Sequence, residues 1–512
     1  PAGPTRDSAA AAASATTATT PSPAPTSRAT FAALVPAPTA WRPASGMFVL
    51  SAQTSLVADG AALDAAALLR GYVRERTGAR LQIRSAAPTA DTSPTSIVFT
   101  RDGADAALGE EGYELRVGGD RIEVFARGRA GFLWAVQSLR QLLPADRPLA
   151  VGIRSGTLRD IPRFQWRGTM LDVARHFFPP RQVRRVIDLA ARYKLNRFHL
   201  HLTDDQGWRI QIRRYPQLTD TGAATEVGGG TGGFYTQQQF VALVEYAAAR
   251  GVTLIPEIEM PGHSQAAVAS LPWLSCDDVA PPVPTEIGLF ESSLCPTKES
   301  TFEFVDVVIG EIAALTPGAY IHIGGDESFA TDPAQYPVFV ERVLDIVRRH
   351  GKVPIGWEEI GRAAVGSDTI VQHWGTDAGA ATAAAADDAM IVLSPASKVY
   401  LDMKHDETSP LGWTWAGVID SETASQWDPA AVLPDVDRER IAGIEAPLWT
   451  ELLGRPAQLD LMLLPRLPGI AELAWSSRPP PWDDLRVRLA LQSRRWTEDG
   501  YAFTSDSAVF GD

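Results

Sequence analysis

The sequence predicts a (β/α)8 barrel as the larger part of the chain, preceded by a smaller α/β domain. Short apolar runs recur eight times from residue 164 onward. Amphipathic segments with helical spacing, such as "RQVRRVIDLAARYK" and "TQQQFVALVEYAAAR", fill most of the gaps between these runs. The chain before residue 164 mixes strands and helices without that regular alternation. Strand and helix alternating eight times is the pattern that a closed parallel barrel needs.

Residues 1–41 are predicted to be a tether rather than a folded unit. The segment is rich in Ala, Thr, Ser and Pro, and it offers too little apolar area to fold by itself. Such a stretch is typical of the region that follows a signal peptide, so we expect a secreted protein. A disordered tail of an intracellular protein is the alternative.

Residues 42–160 are predicted to form a non-catalytic α/β domain. "SIVFT" (96–100) has the composition of a strand, and "YELRVGGDRIEVFAR" (113–127) that of a hairpin turning at Gly118–Asp120. "AGFLWAVQSLRQLL" (130–143) has the apolar spacing of a helix packed on a sheet. No cluster of reactive side chains occurs in this part of the sequence, so we assign it a structural role.

Residues 161–512 are predicted to form the barrel, with one strand in each of the eight apolar runs. No single run proves the fold, and the prediction rests on their number and order. The runs are "RGTMLDVAR" (167–175), "RFHLHLTDD" (197–205), "VTLIPEIEM" (252–260), "AYIHIGGDE" (319–327), "KVPIGWEE" (352–359), "TIVQHWG" (369–375), "MIVLSP" (390–395) and "IAGIEAPLWTE" (441–451).

Charge and composition exclude two classes of partner. The formal net charge of −14 predicts no basic surface for nucleic acid. No apolar stretch approaches the ~20 residues that a membrane helix needs, so no membrane span is expected.

Cys276 and Cys295 are the only cysteines, and both lie in one loop-like region. In an exported protein we expect them to form a disulfide, which would stabilise the fold by roughly 3 kcal/mol. Two buried free thiols are the alternative.

Acids and tryptophans dominate the ends of the predicted strands. In a barrel the C-terminal strand ends form one face, and that face carries the active site. The candidates there are Asp172, Arg175, Asp204, Asp205, Glu257, Glu259, His263, Asp326, Glu327, Trp357, Glu358, Trp374, Tyr400, Asp402, Glu445, Trp449 and Glu451.

This combination suits a sugar. Carboxylates and Arg hydrogen-bond to hydroxyls, and indole faces pack on the apolar faces of a pyranose. Core packing or an ordinary ion pair could explain any one of these residues, but not their collection at one end of the barrel. His199 and His201 in "HLH" leave a metal-dependent barrel hydrolase as a second hypothesis. The later strand ends carry tryptophans instead of further ligands, which disfavours it.

Asp326 and Glu327 are adjacent, which is unusual for a glycosidase pair. Two catalytic carboxylates that flank a scissile bond usually come from different strands, ~5 Å apart in a retaining enzyme. If both acids serve one site, Gly324 and Gly325 must turn the chain out of the strand first. One of the two acids must then act on another part of the substrate.

The motif "HIGGDE" resembles the signature of glycoside hydrolase family 20, the β-N-acetylhexosaminidases. The similarity covers nearly the whole chain after the tether, including the domain that precedes the barrel. It includes, in family order, "RGTMLDVARHFF" (167–178), "LNRFHLHLTDDQGWRI" (195–210), "PEIEMPGH" (256–263), "YLDM" (400–403) and "EAPLWTE" (445–451). The loops at 221–236 and 404–440 are where relatives would differ, and they leave the leaving-group preference open.

The resemblance implies a role for each acid. Such enzymes use the substrate's own 2-acetamido oxygen as the nucleophile. Glu327 would then be the general acid and later the base, Asp326 would hold the acetamido N–H, and Tyr400 would donate to the acetamido oxygen. The other implied site residues are Trp357, Trp374, Trp415 and Trp449 around the pocket, Arg175, Asp402 and Glu451 on sugar hydroxyls, and Asp204 with His263 supporting the acid.

The sequence therefore predicts a secreted, retaining exo-β-N-acetylhexosaminidase without cofactor or metal. Its expected partners are N-acetylhexosaminides and chito-oligosaccharides. Two other hypotheses remain. One is the metal-dependent hydrolase, and the other is a sugar-binding protein that has lost catalysis, against which intact Asp326, Glu327 and Tyr400 argue.

Overall fold

A computed structural model describes residues 28–29, 31–85, 94–144, 148–375 and 378–511. The first domain contains helices α1 (Leu63–Thr77) and α2 (Arg129–Leu142) on a mixed sheet. Its strands are β1 (Arg28–Ala29), β2 (Ala40–Leu50), β3 (Thr54–Val57), β4 (Gln82–Arg84), β5 (Thr95–Thr100), β6 (Tyr113–Val117), β7 (Arg121–Ala126) and β8 (Val151–Asp160). The predicted hairpin and helix are confirmed as β6–β7 and α2.

The first sheet runs in the order β1-β8-β6-β7-β5-β3-β4, with β2 also paired to β8. The tether prediction is wrong for its last part, because residues 28–29 and 40–41 belong to this sheet and Phe31, Leu34 and Val35 between them are buried. These three side chains supply apolar area that the Ala- and Thr-rich start of the segment lacks. Residues 1–27 and 30, the rest of the predicted tether, lie outside the described residues.

The second domain is a closed barrel of eight parallel strands, as the sequence predicts. Every strand lies within one of the eight apolar runs or overlaps its start. In chain order they are β9 (Trp166–Asp172), β10 (Arg197–His201), β13 (Thr253–Glu257), β14 (Tyr320–His322), β15 (Val353–Trp357), β16 (Ile370–His373), β17 (Met390–Leu393) and β18 (Ile441–Leu448), which pairs with β9. A small hairpin, β11 (Thr203–Asp204) and β12 (Gly207–Trp208), follows β10.

Helices surround the barrel, although the alternation is irregular in its second half. The connection after β15 contains a 3-10 helix (Glu358–Arg362), and β17 is followed only by short helices. The helices are α3 (Pro180–Arg192), α4 (Gln217–Asp220), α5 (Gln237–Ala248), α6 (Gln265–Ser270), α7 (Glu299–Leu315), α8 (Tyr336–Arg349), α9 (Ala378–Ala386), α10 (Ala396–Val399), α11 (Ser421–Ser425), α12 (Pro456–Leu463), α13 (Arg466–Trp475), α14 (Trp482–Glu498) and α15 (Ser507–Phe510).

A buried polar cluster joins the two domains at the bottom of the barrel. Asp160, at the end of β8, is fully buried and accepts hydrogen bonds from Tyr113 Oη (2.7 Å), Lys194 Nζ (2.6 Å) and Trp475 Nε1 (2.7 Å). The backbone N–H of Thr39 donates to the same carboxylate at 3.1 Å. Because both carboxylate oxygens have donors, the buried charge is compensated.

The expected disulfide between Cys276 and Cys295 is present. It closes the loop between α6 and α7, which extends over the C-terminal face of the barrel. Among the described residues, no helix combines the length and the apolar character that crossing a membrane requires.

Candidate active site

A cavity of about 410 Å³ opens at the C-terminal ends of the barrel strands. Its volume lies within the ~300–1,000 Å³ of typical small-molecule sites. Ten of the twelve predicted site residues line it: Arg175, His263, Asp326, Glu327, Trp374, Tyr400, Asp402, Trp415, Trp449 and Glu451. The other two, Asp204 and Trp357, lie behind this lining.

After β14 the backbone turns out of the strand direction at Gly324 and Gly325, as expected from the sequence. Gly324 and Gly325 have φ of 68° and 104°, and Glu327 has φ of 46°. A Cβ at position 324 would lie 1.7 Å from Glu259 Oε2, so a side chain there would require the buried Glu259 carboxylate or the backbone to shift. This turn brings Asp326 and Glu327 to one place, because an atom from each carboxylate and one from His263 lie within 4.8 Å of one another.

The two acids differ in exposure. The Asp326 side chain is 11% exposed and that of Glu327 27%. Burial raises the pKa of Asp326 to about 6, with His263 acting against the rise and the Glu327 charge adding to it. Asp326 Oδ1 has no hydrogen-bond partner within the described chain, so this buried carboxylate is open to a ligand.

His263 lies between the two acids and a third carboxylate, that of Asp204. Its Nε2 lies 3.5 Å from Glu327 Oε2 and 3.7 Å from Asp326 Oδ2, and its Nδ1 lies 3.3 Å from Asp204 Oδ1. Burial alone would lower the pKa of His263, but the carboxylates of Asp204 and Asp326 raise it well above its usual value. A protonated His263 places a positive charge beside both acids.

Asp204 is itself held as a carboxylate. Arg175 Nη2 lies 2.7 Å from Asp204 Oδ2, and His201 Nε2 lies 2.9 Å from the same atom. Burial would raise the pKa of Asp204, but Arg175 and His263 keep it well below its ordinary value. The predicted supporting pair, Asp204 with His263, is therefore in contact with the acids on one side and with Arg175 on the other.

Aromatic rings form a wall of the same cavity. Tyr400 and Trp374 are nearly parallel, with ring centroids 6.3 Å apart and 17° between planes, and Trp415 stands edge-on to both. Trp449 lines the cavity next to Tyr400. Trp357 is only 1% exposed and packs against Trp449 at 5.7 Å, with its indole N–H donated to Glu257, so it supports the wall from behind.

Two further carboxylates reach the cavity without full pairing. Asp402 Oδ1 and Glu451 Oε2 are buried atoms that lack a hydrogen-bond partner among the described residues. Burial and the charge of Glu451 raise the pKa of Asp402 well above its usual value. Burial also raises the pKa of Glu451, against the influence of Arg175, whose Nη1 is 3.9 Å away. These atoms are acceptors available to hydroxyl groups.

The histidines that suggested a metal are engaged with carboxylates instead. His199 lies 2.8 Å from Glu445 and 2.9 Å from Glu257, and His201 contacts Glu257 and Asp204. Burial alone would lower the pKa of each histidine, but these acids raise the pKa of His199 to about 9 and that of His201 to about 10. Both histidines thus serve as ion-pair partners of these buried acids.

The chain matches two family models. "Glycosyl hydrolase family 20, catalytic domain" matches residues 164–337 and 330–478, and "Glycosyl hydrolase family 20, domain 2" matches residues 32–161. Together the two matches cover both domains. The chain belongs to glycoside hydrolase family 20. The resemblance drawn from the sequence motifs is confirmed.

Three relatives of this family 20 chain are similar to it over nearly their whole length. It is 39% identical over 483 residues to the β-N-acetylhexosaminidase of Cellulomonas fimi, covering 93% of this chain and 97% of the relative. The family 20 β-N-acetylhexosaminidase of Streptomyces coelicolor A3(2) superposes with a TM-score of 0.88 at 42% identity, covering 93% of this chain and 98% of that structure. A mutant Streptomyces plicatus β-hexosaminidase in complex with its product GlcNAc gives 0.88 at 42% identity, covering 94% and 97%.

Sequence reasoning missed several residues of this family 20 site. Ile287, Leu289 and Trp413 line the cavity, the first two from the loop closed by the disulfide. The apolar "IGLF" within a Pro-rich loop was the available signal. Glu359 accepts from Trp374 Nε1 at 3.2 Å, and burial together with the Asp326 charge raises the pKa of Glu359 to about 8. Nothing in the sequence distinguishes it from its neighbour Glu358.

Proposed function

We propose that this family 20 enzyme is a retaining exo-β-N-acetylhexosaminidase that removes terminal GlcNAc or GalNAc by substrate-assisted catalysis. As a glycoside hydrolase whose full-length relatives are β-N-acetylhexosaminidases, the chain is an enzyme of that class. The finer proposal concerns its mechanism, its mode of cleavage and its substrates. Chito-oligosaccharides are the natural candidates, and a secreted location fits such substrates.

One observation supports the mechanism above all others. Asp326 and Glu327 converge on the same side of the cavity, beside one histidine. Two carboxylates that attack and protonate from opposite faces of a sugar need to stand across the anomeric carbon. Neighbours on one wall are poorly placed for that. This favours the nucleophile that membership of family 20 implies, the substrate's own acetamido oxygen, with the acetamido N–H beside Asp326.

The two acids then divide the work. Glu327 gives its proton to the glycosidic oxygen as the bond from that oxygen to the anomeric carbon breaks and the acetamido oxygen bonds to the same carbon. Asp326 accepts the acetamido N–H on its unpaired Oδ1 and stabilises the positive charge of the oxazolinium ring. Water then attacks the anomeric carbon, gives a proton to Glu327 and reopens the ring. Two inversions at one carbon retain the β configuration.

The cavity walls supply recognition. Tyr400 donates its hydroxyl to the acetamido oxygen, and the stacked Trp374 and Tyr400 rings confine the acetyl group. Arg175, Asp402 and Glu451 bind the hydroxyls of the sugar. A volume of about 410 Å³ at the low end of ligand pockets suits one sugar ring and part of the next. Such a site trims single residues from non-reducing ends.

The test is a substrate series with increasing fluorination of the acetyl methyl. Each fluorine weakens the carbonyl oxygen as a nucleophile, so kcat should fall stepwise because that oxygen acts in the transition state. NMR should show the β anomer as the first product. A flat kcat series or an α-anomeric product would contradict the mechanism. Mass spectrometry of early products from a chito-oligomer should show single-sugar loss, and mainly internal cleavage would contradict the exo mode.

The comparisons give no support to the other hypothesis from the sequence, a sugar-binding protein without catalysis, because the relatives are β-N-acetylhexosaminidases. It would bind GlcNAc without releasing it from a chromogenic β-glycoside. EDTA in the same assay addresses the metal-dependent hydrolase, because the proposed chemistry needs only side chains and substrate. Turnover that is unaffected by EDTA therefore favours the proposal over both alternatives.

A further inference from the structure

A second and larger cavity, of about 870 Å³, lies between the two domains on the outside of the barrel. It is lined by residues of α1, α2, α3, α5, α12 and α14 and of the turns beside them. Seven of its lining side chains are arginines, against five acids. Basic side chains therefore outnumber acidic ones in this cavity, although the protein as a whole carries a net charge of −14. It shares no lining residue with the candidate active site.

One helix supplies the arginine face. Arg181, Arg184, Arg185 and Arg192 lie on α3 at intervals that place them on one side of the helix. Arg185 pairs with Asp460 at 2.9 Å, and Arg192 pairs with Asp499 at 2.5 Å. The amphipathic segment therefore presents more positive charge to the cavity than its acidic neighbours neutralise.

Unpaired donors remain after these ion pairs are formed. Among the residues that the structure describes, neither Arg181 nor Arg184 has a carboxylate partner. The Nε of Arg184 and the Nε of Arg192 are buried and make no hydrogen bond within the described chain. Arg192 as a whole is only 4% exposed. Buried guanidinium donors without acceptors are costly unless a ligand or water satisfies them.

The aromatic residues of the cavity are not available for stacking on a sugar. The Arg250 guanidinium covers Tyr246 at 3.5 Å, Arg185 covers Tyr501 at 3.6 Å, and Arg140 covers Tyr72 at 4.0 Å. With the ring faces occupied, the cavity offers mainly N–H donors and positive charge. This chemistry recognises anions rather than a neutral carbohydrate.

We propose that this cavity binds small polyanions through phosphate or carboxylate groups. The protein already shows the preferred contact, because the Asp499 carboxylate lies between Arg76 and Arg192. A ligand with two or more oxyanion groups would take Arg181, Arg184 and the free Nε of Arg192. Because residues of both domains line the cavity, the bound anion would also stabilise the contact between the domains.

The experiment uses pyrophosphate and citrate as probes, each titrated into the full chain by calorimetry at constant ionic strength. Mannitol serves as the uncharged control. The variant Arg181→Gln/Arg184→Gln removes the two guanidinium groups that have no carboxylate partner among the described residues, and Arg70→Gln removes an exposed arginine of α1 that does not line the cavity. We expect saturable binding to the wild type and to Arg70→Gln, and an affinity at least about tenfold lower in the double variant.

The relative affinity of the two probes decides whether the site prefers phosphate or carboxylate groups. Chromogenic activity of the double variant reports its folding, and Arg181→Gln alone replaces it if that activity is lost. Equal binding by all variants, no saturable binding of either probe, or competition with the glycoside substrate would each overturn the proposal.

Discussion

The candidate active site and the contact between the two domains both bury carboxylates, but they treat them differently. At the domain contact, Asp160 receives donors on both oxygens from Thr39, Tyr113, Lys194 and Trp475. In the cavity, Asp326 keeps a buried oxygen that has no partner in the part of the chain that the structure describes, and so do Asp402 and Glu451. The fold supplies hydrogen-bond donors to both oxygens of Asp160, whereas each of the three cavity carboxylates has an oxygen available to a ligand.

The difference separates stability from function. A buried charge with all its donors stabilises the fold only while both partners remain, and losing one partner is costly. A buried carboxylate with an unsatisfied oxygen destabilises the fold while it is ionised, and it is tolerated where a ligand uses that oxygen. Removing a charge should therefore have opposite effects in the two regions.

The largest expected effect is on activity at Glu327. Glu327→Gln removes the proton donor, so kcat/KM on natural glycosides should fall by roughly 10²–10⁴-fold. The fall should be smaller for substrates whose leaving group needs no proton. Steady-state kinetics on both substrate types measures this, with Glu303→Gln, an exposed glutamate of α7, as the matched control. Equal losses on both substrate types would mean that Glu327 is not the acid.

The next effect is on stability at the domain contact. Asp160→Asn leaves the fully buried Lys194 without its counter-charge, so the free energy of unfolding should fall by about 3–5 kcal/mol. The kcat of the remaining folded enzyme should not change. Urea unfolding measures the loss. Asp345→Asn at an exposed pair with Arg348 should change stability by less than ~1 kcal/mol. A similar loss in both variants would mean that Asp160 contributes no more to stability than an exposed ion pair does.

The same substitution in the cavity should act in the opposite direction. Asp326 has a pKa of about 6 in the folded protein, against ~3.9 in an unfolded chain. The folded state keeps a proton that the unfolded state has already lost, so this side chain's contribution to stability falls as pH rises from about 4 to about 6. Asp326→Asn should therefore be more stable than wild type above pH 6, by on the order of 2–3 kcal/mol.

Thermal unfolding across pH 4–8 checks this prediction. The difference in Tm between Asp326→Asn and wild type should grow through the acid range and then level off. The same variant should lose rate, because a neutral amide stabilises the oxazolinium charge less well. A variant that is less stable than wild type at pH 7 would show that Asp326 is paired like Asp160.

The smallest expected effect concerns the rim of the cavity. Leu289 is 55% exposed and lines the cavity mouth, where it can pack against the leaving group. Leu289→Ser should raise KM for apolar aglycones by about 2–10-fold with kcat unchanged. The reason is that binding such an aglycone would bury part of the leucine side chain, and serine loses that apolar contact. Leu491, 57% exposed on α14, provides the matched control, and equal KM changes in both variants would exclude a rim contact.

The sequence predicted the barrel well because each strand is a short apolar run with its own turn signals, a local property. The adjacent acids and the glycines before them are also local, and the structure brings them together as expected. Ile287, Leu289 and Trp413 were missed because long loops place them, and loop paths depend on distant contacts. Trp357 shows the converse, since a tryptophan after a strand can support the wall from behind. The start of the first domain was missed because three apolar side chains in a Pro-rich segment are a weak signal.

The glycine at position 324 has a consequence for how such chains can diverge. Since a methyl group there would overlap the Glu259 carboxylate, even the smallest substitution requires that either the buried Glu259 side chain or the segment that carries Asp326 and Glu327 shifts. The two acids can thus be displaced without either codon changing. A genome survey that scores only the acidic pair would count such a chain as an enzyme, whereas one that also requires the glycine and its buried glutamate would reject it.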